Sequence, residues 1–189
     1  TALDVDALFA AAAARTDLFP GYERRPGQEA MSRAVAENLG DGGHLAVEAG
    51  TGTGKSLAYL LPALLHALRN NDRVVVSTHT LNLQDQLATK DLPLAAAIVE
   101  GYAGVPEGTL RTALLKGRAN YLCLERWAAV RLDPSPRTEP EARLFARIAA
   151  WLPDTETGER GELYMTSPEQ PAWDQVSAGD TDCLSRRCA

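Results

Sequence analysis

His44-Leu45-Ala46-Val47-Glu48-Ala49-Gly50-Thr51-Gly52-Thr53-Gly54-Lys55-Ser56 joins a short apolar run to a glycine-rich turn, and an apolar stretch, Leu57 to Leu68, follows at once. The turn fits the Walker A pattern: a small residue, four residues of any kind, then Gly-Lys-Ser/Thr, with Ala49 where glycine is usual. Each part of the pattern has a physical reason. Glycines let successive backbone N–H groups turn inward around phosphate oxygens. Lys55 brings a positive charge to the β- and γ-phosphates, and the Ser56 hydroxyl suits Mg²⁺. A helix starting near Lys55 adds its positive N-terminal end to the same anion. An apolar strand before the turn and a helix after it set the motif apart from a chance glycine-rich loop. Residues 49–56, namely Ala49, Gly50, Thr51, Gly52, Thr53, Gly54, Lys55 and Ser56, are therefore the candidate nucleotide site.

The same strand–turn–helix alternation extends in both directions. Residues 3–14 predict a short helix, and Phe19-Pro20-Gly21-Tyr22 breaks it. A second helix starts after Arg25-Pro26-Gly27-Gln28 and ends near Asn38. His44–Glu48 reads as a strand, and Leu57–Leu68 as a helix kinked at Pro62. Arg73-Val74-Val75-Val76-Ser77-Thr78 is the clearest strand. Leu81–Ala88 is helical and Thr112–Leu115 a third strand. Strands alternating with helices predict an α/β fold with a parallel sheet. After Asn120 the texture changes: Tyr121–Arg131 and Glu141–Leu152 read as helices, and residues 153–182 are acidic and turn-rich. The boundary falls near 117–120, dividing the chain into 1–118 and 119–189.

The formal charge is −6 over 189 residues, so bulk charge lends nucleic-acid binding no support. Local charge differs: Arg111, Lys116, Arg118, Arg126 and Arg131 face a single acid, Glu125, and read either as a solvated face or as a basic patch. No run approaches the ~18 apolar residues of a membrane span. The early run Ala7–Ala14 follows Asp4 and Asp6 instead of a basic leader. A cytoplasmic protein without membrane contact is the expectation, and Thr1 in place of Met suggests a processed or cut start. Three cysteines, Cys123, Cys183 and Cys188, are an odd count, and with no secretion signal a disulfide framework is not expected. Arg118, Arg126, Arg186 and Arg187 nearby in sequence favour thiolates. Two readings stay open from spacing: unrelated thiols, or a soft-metal site for zinc or iron–sulfur lacking one ligand.

Two further blocks gain meaning beside the turn. Gln28 has a donor and an acceptor that suit an adenine edge. Ser77-Thr78-His79-Thr80-Leu81-Asn82-Leu83-Gln84-Asp85-Gln86-Leu87 follows the valine strand, where hydroxyls and backbone N–H groups suit either a phosphate backbone or ordinary helix capping. RPGQ, EAGTGTGKS, STHTLNLQDQL and LLKGRANYLCLER, in this order and spacing, resemble the N-terminal part of XPD-like superfamily 2 DNA helicases, above all the bacterial DinG branch with its YoaA-type proteins. The resemblance runs from Tyr22 to Cys188.

It implies a RecA-like ATP-binding motor domain followed by the start of a mainly helical iron–sulfur insertion. By resemblance, Gln28 contacts adenine, residues 49–56 hold ATP and Mg²⁺ with Lys55 and Ser56 catalytic, and Thr80 and Gln84 touch single-stranded DNA. Arg118 lies where the family meets DNA near the strand junction. Cys123, Cys183 and Cys188 match the first three ligands of a 4Fe-4S cluster, the fourth being expected just beyond Cys188. The implied activity is ATP-dependent 5′→3′ unwinding of single-stranded or forked DNA, in repair or replication rescue beside other repair or replication proteins, in a bacterial, nucleoid-associated setting.

Hydrolysis also needs acids to hold Mg²⁺ and orient water, and the chain has no adjacent Asp-Glu pair. Ile98-Val99-Glu100 is a poor imitation and reads as a helix end. The expectation for these residues alone is an incomplete sheet with exposed apolar faces, weak folding and no ATPase turnover. The rival readings are a non-hydrolysing nucleotide- or DNA-binding module, a small-molecule kinase and a small zinc protein. A kinase would leave STHTLNLQDQL and the cysteines unexplained.

Overall fold

The structure, a computed structural model, describes residues 2–18, 20, 22–50 and 52–179. The chain divides into two compact units, Thr1–Leu114 and Leu115–Ala189.

The first unit is built on helices α1 (Ala2–Ala14), α2 (Pro26–Asp41), α3 (Lys55–Asn70), α4 (Leu81–Gln86) and α5 (Leu92–Ala103). In α1, Val5, Leu8, Phe9 and Ala12 fall at helical spacing and are all buried, which gives this alanine-rich segment one core-facing stripe. Proline at the first position of α2 suits a place where the N–H has no helical partner, and Gly42 at positive φ ends the helix. Leu60, Leu61, Leu64 and Leu65 of α3 join the α1 residues and Ala95, Ile98 and Val99 of α5 in one core. The helix α3 runs through Pro62 without a break. Burial of the leucines on either side outweighs the ~3 kcal/mol that an interior proline costs.

The helix expected over Leu81–Ala88 extends differently. After Gln86 one π-helical turn, Leu87–Asp91, leads straight into α5. Pro93 stands in the first turn of α5, where it donates no N–H and would crowd the carbonyl four residues back in a continuous α-helix. A widened turn at that place relieves the conflict.

The three expected strands do not appear in the structure. Residues 44–48, 73–78 and 112–115 carry no regular secondary structure and form no ladder. Among the described residues the isolated β-contacts are two bridges, Tyr121 with Glu159 and Leu122 with Ser177. The described residues thus show helices and isolated bridges without paired strands. Val75 is 89% exposed, and Val74 and Val76 are also exposed. A β-branched run of this kind is normally covered on both faces by a parallel sheet and its helices. The physical difference is one of range. Helices close their hydrogen bonds within a turn, whereas a strand needs aligned neighbours brought from far along the chain.

The second unit holds α6 (Leu124–Leu132), α7 (Glu139–Trp151) and α8 (Gln170–Val176) around Trp127, Leu144, Phe145, Ile148, Ala172, Trp173 and Val176. The rings of Trp127 and Phe145 meet edge to face at 5.8 Å. A capping box of Thr138 and Glu141 starts α7. The indole of Trp173 donates to the Ala119 carbonyl at 2.8 Å. The helix expected from Tyr121 begins only at Leu124, because Tyr121 and Leu122 are drawn into the two bridges. The turn-rich tail contains α8, whose Trp173 is fully buried. Among the described residues no helix is long and apolar enough to cross a membrane.

Candidate nucleotide site

The glycine-rich turn is held by side chains that grip its carbonyl groups. Lys55 Nζ donates to the carbonyls of Ala49 and Gly50, each at 2.8 Å. Thr53 Oγ1 donates to the Gly50 carbonyl at 3.0 Å. Arg25 Nη1 donates to the Gly52 carbonyl at 2.6 Å. Gln28 Nε2 donates to the Gly54 carbonyl at 2.8 Å. Thr51 lies outside the described residues.

Gly52 and Gly54 have φ of 80° and 77°, in the left-handed region that side chains disfavour. Gly54 is doubly constrained, since a Cβ there would stand 2.2 Å from Gln28 Nε2. Immediately after it α3 begins at Lys55, so the helix N-terminus opens onto the turn. Ser56 lies in the first turn of α3, and Tyr59 follows one turn later on the same face. Burial pushes the Tyr59 phenol up, and a hydrogen bond with Ser56 opposes that shift.

Gln28 is 5% exposed. An amide has two N–H donors and an acceptor oxygen. With one N–H on Gly54, one N–H and the oxygen remain, the pair that an adenine edge requires. Arg25 is the residue that sequence reasoning missed. Its signal was its place at the head of α2, one turn ahead of Gln28.

The other candidate residues lie elsewhere. Thr80 caps α4, its hydroxyl accepting from the Leu83 N–H at 3.3 Å. Gln84 is half-buried on the same helix. Arg118 belongs to the second unit and is exposed in a 3₁₀ turn. Lys116, counted in the basic stretch, is buried instead. Its ammonium lies 3.0 Å from Glu159, which corrects the view of that stretch as one solvated face. Glu100 is buried and accepts from the N–H groups of Gly108 and Leu110 at 3.1 and 2.7 Å. It therefore anchors a loop.

Cys123 is half-buried and stands immediately before α6. Its N–H donates to the Val176 carbonyl at 2.8 Å, and the Ala178 N–H donates to the Tyr121 carbonyl at 2.9 Å. The chain leading towards Cys183 thus passes beside Cys123. Cys183 and Cys188 lie outside the described residues, among which no three metal-ligating side chains gather.

A glycine-rich turn with its carbonyls tied back, opening on a helix that starts with Lys-Ser, defines a P-loop protein. Residues 25–122 match the DEAD/DEAH box helicase family, and the chain belongs to that family, whose fold is of the RecA-like P-loop type. It is 40% identical over 182 residues to the ATP-dependent helicase DinG of Mycobacterium tuberculosis, covering 89% of this chain and 27% of that protein. It is 36% identical over 169 residues to the ATP-dependent DNA helicase YoaA of Escherichia coli, covering 89% and 25%. The 3′-5′ exonuclease DinG of Bacillus subtilis is 36% identical over 167 residues, 88% of this chain and 17% of that protein. The chain thus spans roughly a quarter or less of the length of these relatives.

Proposed function

We propose that these residues supply the ATP-binding part of an ATP-dependent DNA helicase of the DinG/YoaA type, acting 5′→3′ in DNA repair or replication rescue. The observation that carries the reading is the turn itself: glycines at positive φ, carbonyls held back by side chains, and α3 starting at Lys55. In this reading Gln28 meets adenine, Ala49 to Ser56 surround the phosphates, and Lys55 offsets their charge. Ser56 would hold Mg²⁺, whose chemistry is to neutralise charge developing on the transferred phosphoryl group. Residues 1–118 form part of a motor domain with a parallel sheet, and 119–189 begin an iron–sulfur domain. Thr80, Gln84 and Arg118 contact single-stranded or forked DNA. Repair or replication proteins would be partners, in a cytoplasmic, nucleoid-associated setting.

A fluorescent ATP analogue with Mg²⁺ tests the central claim. Binding to the chain should be lost in Lys55→Ala, and equal binding by both would refute it. With no adjacent Asp-Glu pair in these residues, the expected result is binding without turnover. Robust DNA-stimulated hydrolysis by the 189 residues would contradict it.

Cys123, Cys183 and Cys188 would hold a 4Fe-4S cluster together with a ligand beyond Ala189. Thiolates suit iron, and the passage of residues 176–178 beside Cys123 supports the grouping. When bound, the cluster would serve as a structural wedge. Anaerobic purification of a chain extended past Ala189 should give iron, sulfide and visible absorbance. Absence of all three would overturn this assignment.

A further inference from the structure

We propose that Arg25 is a positioning residue of the nucleotide site: its guanidinium pulls the Gly52 carbonyl outward and thereby aims the Thr53 N–H at the phosphates. The inference deepens the nucleotide reading above and rests on it for the nature of the anion. The resemblance assigned no role to Arg25.

The reasoning starts from the peptide unit. A trans peptide is planar, so the carbonyl of one residue and the N–H of the next point in opposite directions. Whatever fixes a carbonyl on one side of a loop fixes the following N–H on the other. The Gly52 carbonyl accepts from Arg25 Nη1 at 2.6 Å, and the Gly54 carbonyl accepts from Gln28 Nε2 at 2.8 Å. The paired N–H groups belong to Thr53 and Lys55. Two alternate peptides of the crown thus have carbonyls held from the start of α2; the Gly54 carbonyl also accepts from the Ala58 N–H of α3 at 3.2 Å, whereas the Gly52 carbonyl is held by Arg25. Gly52 at φ 80° has no Cβ to restrict it, and a Cβ placed there meets nothing within 4 Å. Glycine's own preference does not fix that peptide, and no side chain at this position can be packed to hold it. Among the described residues it is Arg25 that restrains the Gly52 carbonyl, and an ionised donor makes the stronger kind of hydrogen bond. Gln28 differs because it is buried against Gly54 and has amide groups left for a base. Arg25 is exposed at the head of α2, and among the described residues its contact is with the loop backbone.

Two roles for this arginine predict different outcomes. A base-reading arginine would matter for ATP but not for inorganic tripolyphosphate. A loop-positioning arginine would matter for both, because the phosphate donors themselves are misaligned. A third possibility, long-range attraction of the phosphates by its charge, would fade with added salt. Loss of positioning would persist.

The test compares the wild-type chain with Arg25→Ala and Arg25→Lys, after far-UV circular dichroism shows equal helix content. The first readout needs no nucleotide: hydrogen exchange of the peptide spanning residues 49–56. Arg25→Ala should exchange faster there than wild type, with exchange in α5 unchanged, and Arg25→Lys should fall between. The second readout is affinity. Arg25→Ala should bind Mg–ATP and tripolyphosphate about fivefold more weakly, as expected for one lost hydrogen bond, at both 50 and about 300 mM salt. Unchanged exchange in Arg25→Ala would overturn the proposal. So would a loss confined to ATP, or one that vanishes at high salt. Faster exchange in Arg25→Ala, with a wild type that binds neither anion, would uphold the loop assignment and refute the nucleotide reading.

Discussion

Replacing Gly54 with alanine should be more damaging than replacing Gly52, although both glycines have positive φ. Each substitution places a side chain in the left-handed region, at a cost of about 1 kcal/mol. At Gly52 that is the whole effect, because a Cβ there meets nothing within 4 Å. At Gly54 the new Cβ would lie 2.2 Å from Gln28 Nε2 and 3.0 Å from its Cδ. The Gln28 amide must move away and lose its 2.8 Å bond to the Gly54 carbonyl, which adds about 1 kcal/mol. If binding requires the loop as built, Gly52→Ala should weaken Mg–ATP binding about fivefold and Gly54→Ala about thirtyfold, at ~1.4 kcal/mol per tenfold. Titration with a fluorescent ATP analogue measures both. The cycle with Gln28→Ala isolates the steric part: in that background, Gly54→Ala should fall back to the fivefold effect of Gly52→Ala. Equal losses for the two glycines, or a Gly54→Ala loss that ignores Gln28→Ala, would refute the reasoning.

All three tryptophans, Trp127, Trp151 and Trp173, lie in the second unit, so their fluorescence reports its unfolding alone. Lys116→Met leaves the half-buried Glu159 carboxylate without its 3.0 Å ammonium partner and should lower that unit's stability by about 2 kcal/mol in urea. Adding Glu159→Leu should recover part of the loss. The Glu169 carboxyl is held down to about 2, first by the Thr166 N–H and then by Arg147. A folded-state value below the ordinary one means the stabilisation is full above about 4.5 and declines as pH falls towards 2. Urea unfolding of Glu169→Gln should therefore differ most from wild type near neutral pH and converge with it in acid. Val75→Lys removes the most exposed apolar side chain of the unpaired valine run. It should reduce self-association in light scattering and leave ATP affinity unchanged.

The helices were legible because their signals are local. Pro26 at a helix start, Gly42 at its end and the leucines of α3 each act within a turn or two. The P-loop was legible for the same reason, since its glycines, lysine and serine are contiguous. Arg25 was not, because its partner is a backbone carbonyl 27 residues away and no residue type marks a carbonyl. The burial of Lys116 was hidden in the same way, its partner Glu159 being 43 residues distant. Pro62 lies inside a continuous α3, where tertiary burial outweighs the local cost of proline. The valine run over 73–78 carried a true preference for extended backbone. A strand preference belongs to the segment, whereas pairing depends on its neighbours, and a run of this kind carries information about the former alone.

This distinction explains how the nucleotide loop keeps its shape while the segment before it, residues 44–48, remains unpaired. In a P-loop fold the turn is usually described as strung between a strand and a helix. Here the restraints come from helices on one side. Arg25 and Gln28 of the α2 start hold Gly52 and Gly54, Lys55 of α3 holds Ala49 and Gly50, and α2 packs along α3. The loop's carbonyls are thus fixed by two elements whose own structure is locally determined. These restraints come from the α2–α3 pair and are independent of the segment that precedes the loop. Substitutions at residues 25 and 28 should accordingly disturb the loop more than substitutions on the strand segment that leads into it.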